Sequence, residues 1–250
     1  VEPDTSVAFV FFRSTDLSHL ERAWYSLSQQ DFTGVGEVIF YDNNTEFTEE
    51  EMVPVLMRHS MPVGVHLRAD KHGDPTRTHS WSVNRSCQLA THPLVLFMRS
   101  DYLLTRDCLQ SLRGEYLRSE RPVFVSGHCY QTAYDREAQP LPPVDLDAYP
   151  WRTEGAEILP GYVPGFCFHE TDQDAGVWLA AKASMEAAGW MNEKLTAWGY
   201  QQSTFQRALR RTGTECVTIP RYLFVHQQHG FTSRDFVLAR QEYDQYGGGL

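Results

Sequence analysis

The strongest constraint on this chain is an alternation in its first half, where short apolar runs that read as buried strands are separated by stretches with helical period. Val7–Phe12 (VAFVFF) reads as a strand, and Leu17–Gln29 then sets Leu17, Leu20, Ala23, Trp24 and Leu27 on one helical face. Glu37–Tyr41 (EVIFY) is a second strand, and Thr48–His59 a helix whose acidic first turn suits its dipole. The pattern repeats with a strand at Val63–Leu67, a helix at Ser80–Ala90 and a buried strand at Leu94–Met98 (LVLFM). A helix over Thr105–Arg118, capped by Thr105, and a strand at Pro122–Ser126 follow. Neighbouring parallel strands need a crossover between them, usually helical, so this order predicts βαβ units and a mostly parallel sheet.

The rhythm breaks over residues 131–170, which hold six of the thirteen prolines and keep no period. This reads as a long functional loop within one domain, not as a linker. Beyond it, Gly176–Ala181 reads as a strand, Lys182–Ala188 as a short helix ended by Gly189, and Gln201–Thr212 as a helix ended by Gly213. Glu215–Ile219 is a last strand, Tyr222–Val225 a last apolar run, and Arg234–Tyr246 a terminal helix.

Composition narrows the function classes. The 250 residues are 42% hydrophobic and 13% aromatic, enough for a sizeable core. A formal charge of −10 disfavours a phosphate-backbone binder, so no nucleic-acid partner is expected. VAFVFF, the longest apolar run, is far too short for a transmembrane segment, and the reading is of a soluble protein. Five widely spaced cysteines, an odd number without a CxxC pair, favour reduced thiols and a cytoplasmic location.

In open α/β sheets ligands gather at the carboxyl ends of the strands, which makes the polar residues that follow each strand the candidates. Arg13-Ser14 follows the first strand, Asp42-Asn43-Asn44 the second, Arg99-Ser100-Asp101 the fourth, and His226 the last apolar run. One carboxylate in a turn means little, because Asp and Asn favour turns. Several in register point to a binding edge.

The order of these motifs resembles the family 2 glycosyltransferases with the GT-A fold, over nearly the whole chain. VAFVFFRSTDLSHLERAWYSLSQQ is similar to the family's opening, and VIFYDNNT to its second strand with the aspartate that contacts the nucleotide base. THSWSVNRSCQLATHPLVLFMRSDYLL is similar to the stretch in which an Asn-containing helix leads to a strand and a DxD motif. AAGWMNEKLTAWGYQQSTFQRALRRTG is similar to the acceptor segment, a glycine and an aromatic, Asp-Glu, then Trp-Gly and an acidic pair.

The resemblance implies a GT-A-like α/β fold: a mixed, mostly parallel sheet flanked by helices, with a Rossmann-like nucleotide-binding half. Residues 1–130 would bind the nucleoside diphosphate sugar and residues 131–250 the acceptor, a glycan or small molecule. It places Arg13, Asp42, Asn43, Arg77, Asn84, Arg99 and Asp101 at the donor, with Asp42 on the nucleoside. Trp198, Gly199, Gln201 and Gln202 fall at the acceptor. A divalent ion, manganese or magnesium, would sit on Asp101 and His226 and bridge the diphosphate.

Two departures qualify this. Where the family has two aspartates around one residue, this chain has Arg99-Ser100-Asp101, so only the second carboxylate remains. A hard cation can still be held by Asp101, His226 and phosphate oxygens; Arg99 either contacts the diphosphate bidentately or forms an ordinary salt bridge. Where inverting members carry the acidic base after Trp-Gly, this chain has Gln201 and Gln202, and glutamine cannot take a proton. Asp174 is the first replacement and Asp172 the second, both placed where the proline-rich loop should return to the site.

The reading is therefore glycosyl transfer from a nucleoside diphosphate sugar to an acceptor hydroxyl. The resemblance implies an inverting hexosyltransferase, although the missing base leaves stereochemistry open. The alternative is a non-catalytic nucleotide-sugar or glycan binding module that kept the pocket and lost the base. A nucleotidyltransferase is disfavoured, since no Gly-rich, lysine-containing phosphate loop stands near the first strand.

Overall fold

The structure is a computed structural model that describes residues 2–12, 15–43, 45–69, 79–132, 162–164, 176–196, 200–227 and 240–247. The first half runs β1 (Thr5–Phe12), α1 (Leu17–Ser28), β2 (Val35–Asn43), α2 (Glu49–Met57), β3 (Gly64–Ala69), α3 (His79–Leu89), β4 (Leu94–Arg99), β5 (Tyr102–Leu104) and α4 (Cys108–Arg118). The second runs β6 (Val123–Thr132), β7 (Tyr162–Pro164), β8 (Val177–Ala181), α5 (Lys182–Ala187), α6 (Gln201–Arg211) and β9 (Glu215–His226), and closes on a π-helical turn, Tyr243–Gly247.

The described strands form one sheet in the order β3-β2-β1-β4-β8-β6-β9-β5, with β7 on the side of β6. Strands β1 to β4 pair in parallel, as the crossover pattern requires. β8 runs antiparallel to both of its neighbours, β4 and β6, and makes the sheet mixed. β1 is central, and its alternate side chains serve two cores: Val7, Phe9 and Phe11 pack in one with Trp24 and Phe40, Ala8 and Val10 in the other with Phe97 and Trp178. A strand covered on both faces reads as an unbroken apolar run, which is why VAFVFF shows no alternation.

Two expectations are corrected. Thr105 does not cap α4: the helix starts at Cys108 behind Asp107, and the Thr105 hydroxyl donates instead to the Leu223 carbonyl at 3.0 Å. The pairing of β5 with β9 draws Thr105 into the sheet and away from the helix start. The two late apolar runs are one strand, β9, because register shifts opposite Gly127 and His128 in β6 absorb the irregular Pro220-Arg221 stretch without breaking it. Residues 240–242 are helical ahead of the π turn, while the rest of the expected terminal helix and most of the 131–170 loop lie outside the described residues. Among the described residues no helix is long and apolar enough to cross a membrane.

Candidate functional site

Parallel pairing delivers the polar strand ends to one edge. Phe11 of β1 stands opposite Asp42 of β2, and Val10 stands opposite Arg99 of β4. Asp42 and Arg99 thus flank the end of β1 on strands two spacings apart, about 10 Å. After Arg99 the chain turns through Ser100 and Asp101 into β5, whose pairing with β9 sets Tyr102 against His226. The fold, not sequence proximity, brings His226 to Asp101.

The Arg99-Ser100-Asp101 turn is held from three sides. The Ser100 hydroxyl accepts from the Phe12 amide at 3.2 Å and shares a 2.8 Å hydrogen bond with the Thr15 hydroxyl, tying the turn to the end of β1. The Gln227 amide donates to the Asp101 carbonyl at 2.7 Å, and its side-chain nitrogen reaches the Ser100 carbonyl at 3.3 Å. Arg22 of α1 in turn donates to Gln227 Oε1 at 2.6 Å.

Within this frame Arg99 and Asp101 form a buried bidentate pair. Arg99 Nε donates to Asp101 Oδ1 at 2.9 Å and Nη2 to Oδ2, while Oδ2 also faces His226 Nε2 at 3.1 Å. Asp101 is 1% exposed and Arg99 8%. The guanidinium lies over the rings of Phe12 and Tyr102, at 5.4 and 5.3 Å, and Tyr102 stacks on His226. His79, at the start of α3, stacks on Phe12. Burial first, and the Arg99 guanidinium second, push its imidazole down to about 3, so His79 is neutral near pH 7 although part of the residue reaches the surface.

The divalent ion implied for Asp101 and His226 does not fit this arrangement. Both Asp101 oxygens already serve Arg99, and an ion placed between Asp101 and His226 would strand a buried guanidinium, at a cost of about 3–5 kcal/mol. It would also set two positive charges beside a third. Among the described residues, no group of three or more His, Cys, Asp or Glu could hold an ion. Of the two roles open to Arg99, the salt bridge is present.

At the end of β2, Asp42 is fully buried and accepts from the Thr45 amide at 3.0 Å. It lines a cavity of about 470 Å³ between the ends of β2 and β3 and helix α2, with Phe40, Phe47, Met52, Leu67 and Arg68. That volume and its mostly apolar wall suit a small planar ligand. The neighbouring Asn43 Oδ1 is buried without a partner among the described residues.

Asn84, expected at the donor, is 2% exposed. Its amide is taken up by the chain ahead of α6: Nδ2 donates to the Met191 carbonyl at 2.9 Å and to Glu193 Oε1 at 2.8 Å, and Oδ1 accepts from the Met191 amide at 2.9 Å. Asn84 is therefore a clamp between α3 and the Met191–Glu193 stretch. The clamp follows a corner in which Gly189 and Trp190 both have left-handed backbone, φ 79° and 66°. A tryptophan rarely adopts that conformation, and here the Trp190 amide is held by the Met185 carbonyl at 2.9 Å.

Gln201 is 4% exposed and donates to the Leu195 carbonyl at 3.3 Å, so it faces into the fold, while Gln202 Nε2 is buried without a partner among the described residues. Arg13, Arg77, Asp172, Asp174, Trp198 and Gly199 lie outside the described residues.

Sequence reasoning missed three contributors. The apolar cavity walls look like ordinary core in the sequence. Gln227 was visible only as a neighbour of His226. Glu242 gives no local signal at all, yet it is 9% exposed and accepts from both the amide and the hydroxyl of Thr196, two residues before Trp198.

No protein-family model matches the chain, and no curated protein matches it. Solved structures do match in fold. A crystal structure of S. aureus TarS, residues 1–349, aligns with a TM-score of 0.60 at 12% identity over 89% of this chain and 60% of that one. The same protein in complex with UDP aligns with a TM-score of 0.59 at 12% identity, over 90% and 60%. This chain thus spans about 60% of the length of those structures. With its mixed, mostly parallel sheet flanked by helices, the chain has a GT-A-like glycosyltransferase fold.

Proposed function

We propose that this chain binds a nucleoside diphosphate sugar and transfers the sugar to an acceptor hydroxyl. The observation that carries the reading is the placement of Asp42 and the Arg99–Asp101 pair at the carboxyl ends of the two strands that flank β1, with Asp42 beside a nucleoside-sized cavity, in a fold shared with a protein solved with UDP.

In this reading the base enters the cavity between Phe40, Phe47 and Met52, with Asp42 accepting a hydrogen bond from the nucleoside. The diphosphate then runs across the end of β1 toward β4. Transfer forms a bond from the acceptor oxygen to the anomeric carbon, breaks the bond to the diphosphate, and passes the hydroxyl proton to a carboxylate. Asp174 is the first candidate for that carboxylate and Asp172 the second. Trp198 and Gly199 would shape the acceptor site. Single displacement makes the transfer inverting, and a hexosyl group is the donor class that the motif order suggests.

Calorimetry with UDP, GDP, ADP, CDP and TDP tests donor binding: the best ligand should lose at least tenfold in affinity in Asp42→Ala. Equal affinity in that variant would place the nucleoside elsewhere. A second reading, a binding module without transferase activity, is favoured by the inward-facing Gln201 at the position of the usual base. Donor binding with neither hydrolysis nor transfer across a broad acceptor panel would decide for it.

A further inference from the structure

We infer that the α3 face of the carboxyl edge holds a ribose subsite, in which Asn43 and Ser80 hydrogen-bond the vicinal hydroxyls of the nucleoside. The inference rests on the proposed nucleoside diphosphate binding and names the residues that select a ribonucleotide.

Successive residues of a strand point to opposite faces of its sheet. In β2, Val38 and Phe40 belong to the core that holds Met52 and Leu56 of α2, while Ile39 and Tyr41 belong to the one that holds Val83 and Cys87 of α3. The alternation carries Asp42 to the α2 face, where it lines the cavity, and Asn43 to the α3 face. A nucleoside whose base enters the cavity therefore meets Asn43 as it passes over the end of β2.

Ser80 comes to the same corner from α3. Asn43 pairs in register with Phe12, and the His79 ring stacks on Phe12 at 5.2 Å. Ser80 is the next residue, in the first turn of α3, on the helical stripe of Val83 and Cys87 that faces the sheet. Phe12 and His79 are partly exposed, so the corner lies at the rim of the core.

Both side chains lack something. Ser80 Oγ and Asn43 Oδ1 are buried without a hydrogen-bond partner among the described residues, and the two residues are 0% and 7% exposed. A buried polar atom left unpaired costs about 1–3 kcal/mol, and native folds leave few of them. The chemistry of the two atoms selects what can satisfy them. The Asn43 oxygen only accepts, whereas the Ser80 hydroxyl can both donate and accept. An ionised phosphate oxygen has no proton to give Asn43. A hydroxyl group suits both partners, and in a nucleoside diphosphate the hydroxyls closest to the base are those of the ribose. A site built to hydrogen-bond a hydroxyl also rejects the analogue that lacks it, because its buried polar groups are then left unpaired.

The test is titration calorimetry of UDP, GDP, ADP and CDP on the natural chain, each beside its 2′-deoxy and 3′-deoxy counterparts. For the ribonucleotide that binds best, at least one deoxy analogue should bind about fivefold more weakly or worse. If neither analogue does, the inference is overturned and the proposed function stands. Failure of all the ribonucleotides and their analogues to bind would overturn both.

Two variants then assign the residues, with circular dichroism as the check on folding. The ratio of ribo to deoxy affinity should fall by about threefold or more in Ser80→Ala, and likewise in Asn43→Ala, through loss of ribonucleotide affinity. A folded variant of either kind that keeps the natural ratio would overturn the inference. Ser80→Ala removes a hydroxyl with no partner among the described residues and so spares the fold. Should Asn43→Ala not fold, Ser80→Ala decides alone.

Discussion

At the residue scale, the site is built from polar groups whose charge is settled by their neighbours. His79 is the clearest case. Its folded-state value of about 3 lies below the ordinary 6.5, so between those values the unfolded chain binds a proton that the native state refuses. The sign follows: stability is full above about pH 6.5 and declines as pH falls, with a penalty on the order of 1 kcal/mol near pH 5.5. Urea unfolding of His79→Phe, which keeps the stacking on Phe12, should show a shallower loss of stability from pH 7.5 to 5 than the natural chain. Parallel pH profiles would show that His79 is protonated in the native state as well. Asn84 makes a second prediction at this scale. Removing its three hydrogen bonds in Asn84→Ala, which also leaves the Met191 amide without its partner, should cost about 2–3 kcal/mol in chemical unfolding. Under the proposed function, affinity for the nucleoside diphosphate that binds best should change by less than about threefold, since the clamp holds the Met191–Glu193 stretch and not the strand ends at Asp42 and Arg99.

At the element scale, much was legible and the omissions have physical reasons. Strands β1 to β4 and their helices announce themselves because burial on both faces makes each strand an unbroken apolar run and each crossover helix keeps its period. The short β5 was invisible: Tyr102–Leu104 is three residues long, and only its pairing with β9 makes it a strand. The same pairing brings His226 to Asp101, so the motif order pointed to both residues but could not reveal that Arg99 would reach the carboxylate first. Gly176, at the entrance to β8, shows how closely these elements approach. A Cβ there would lie 2.0 Å from Tyr102 Cε2, and the Tyr102 ring stacks on His226. Gly176→Ala should therefore displace the ring, destabilise the fold by about 1–3 kcal/mol and, under the proposed function, weaken nucleoside diphosphate binding, because the Tyr102 ring flanks Arg99. Thermal unfolding and calorimetry read the two effects. A normal Tm with normal binding would mean that the β8 entrance can move aside at no cost.

At the scale of the whole molecule, the two halves of the chain are parts of one sheet, since β5 from the first half pairs with β9 from the second and β4 with β8. The last described residues then return to the acceptor segment. Glu242 accepts from the Thr196 amide at 2.6 Å and from its hydroxyl, Asn192 donates to the Tyr246 carbonyl at 3.1 Å, and Tyr243 stacks on Tyr200 at 4.6 Å. The Met191–Thr196 stretch is thus held by Asn84 on one side and by the returning chain on the other. Cutting the second restraint should loosen this stretch and spare the carboxyl edge of β2 and β4. In Glu242→Ala, hydrogen exchange at the Thr196 amide should accelerate by roughly tenfold or more, as expected for a lost charge-assisted bond of about 1.5–3 kcal/mol. Under the proposed function, nucleoside diphosphate affinity should stay within about threefold of the natural chain, because Asp42 and Arg99 stand on the parallel strands and not on the returning segment. Glu242→Gln separates charge from shape: its amide oxygen can still accept from Thr196, so exchange should rise less than in the alanine variant. If exchange at Thr196 is unchanged in both variants, the returning chain rests on the acceptor segment without restraining it.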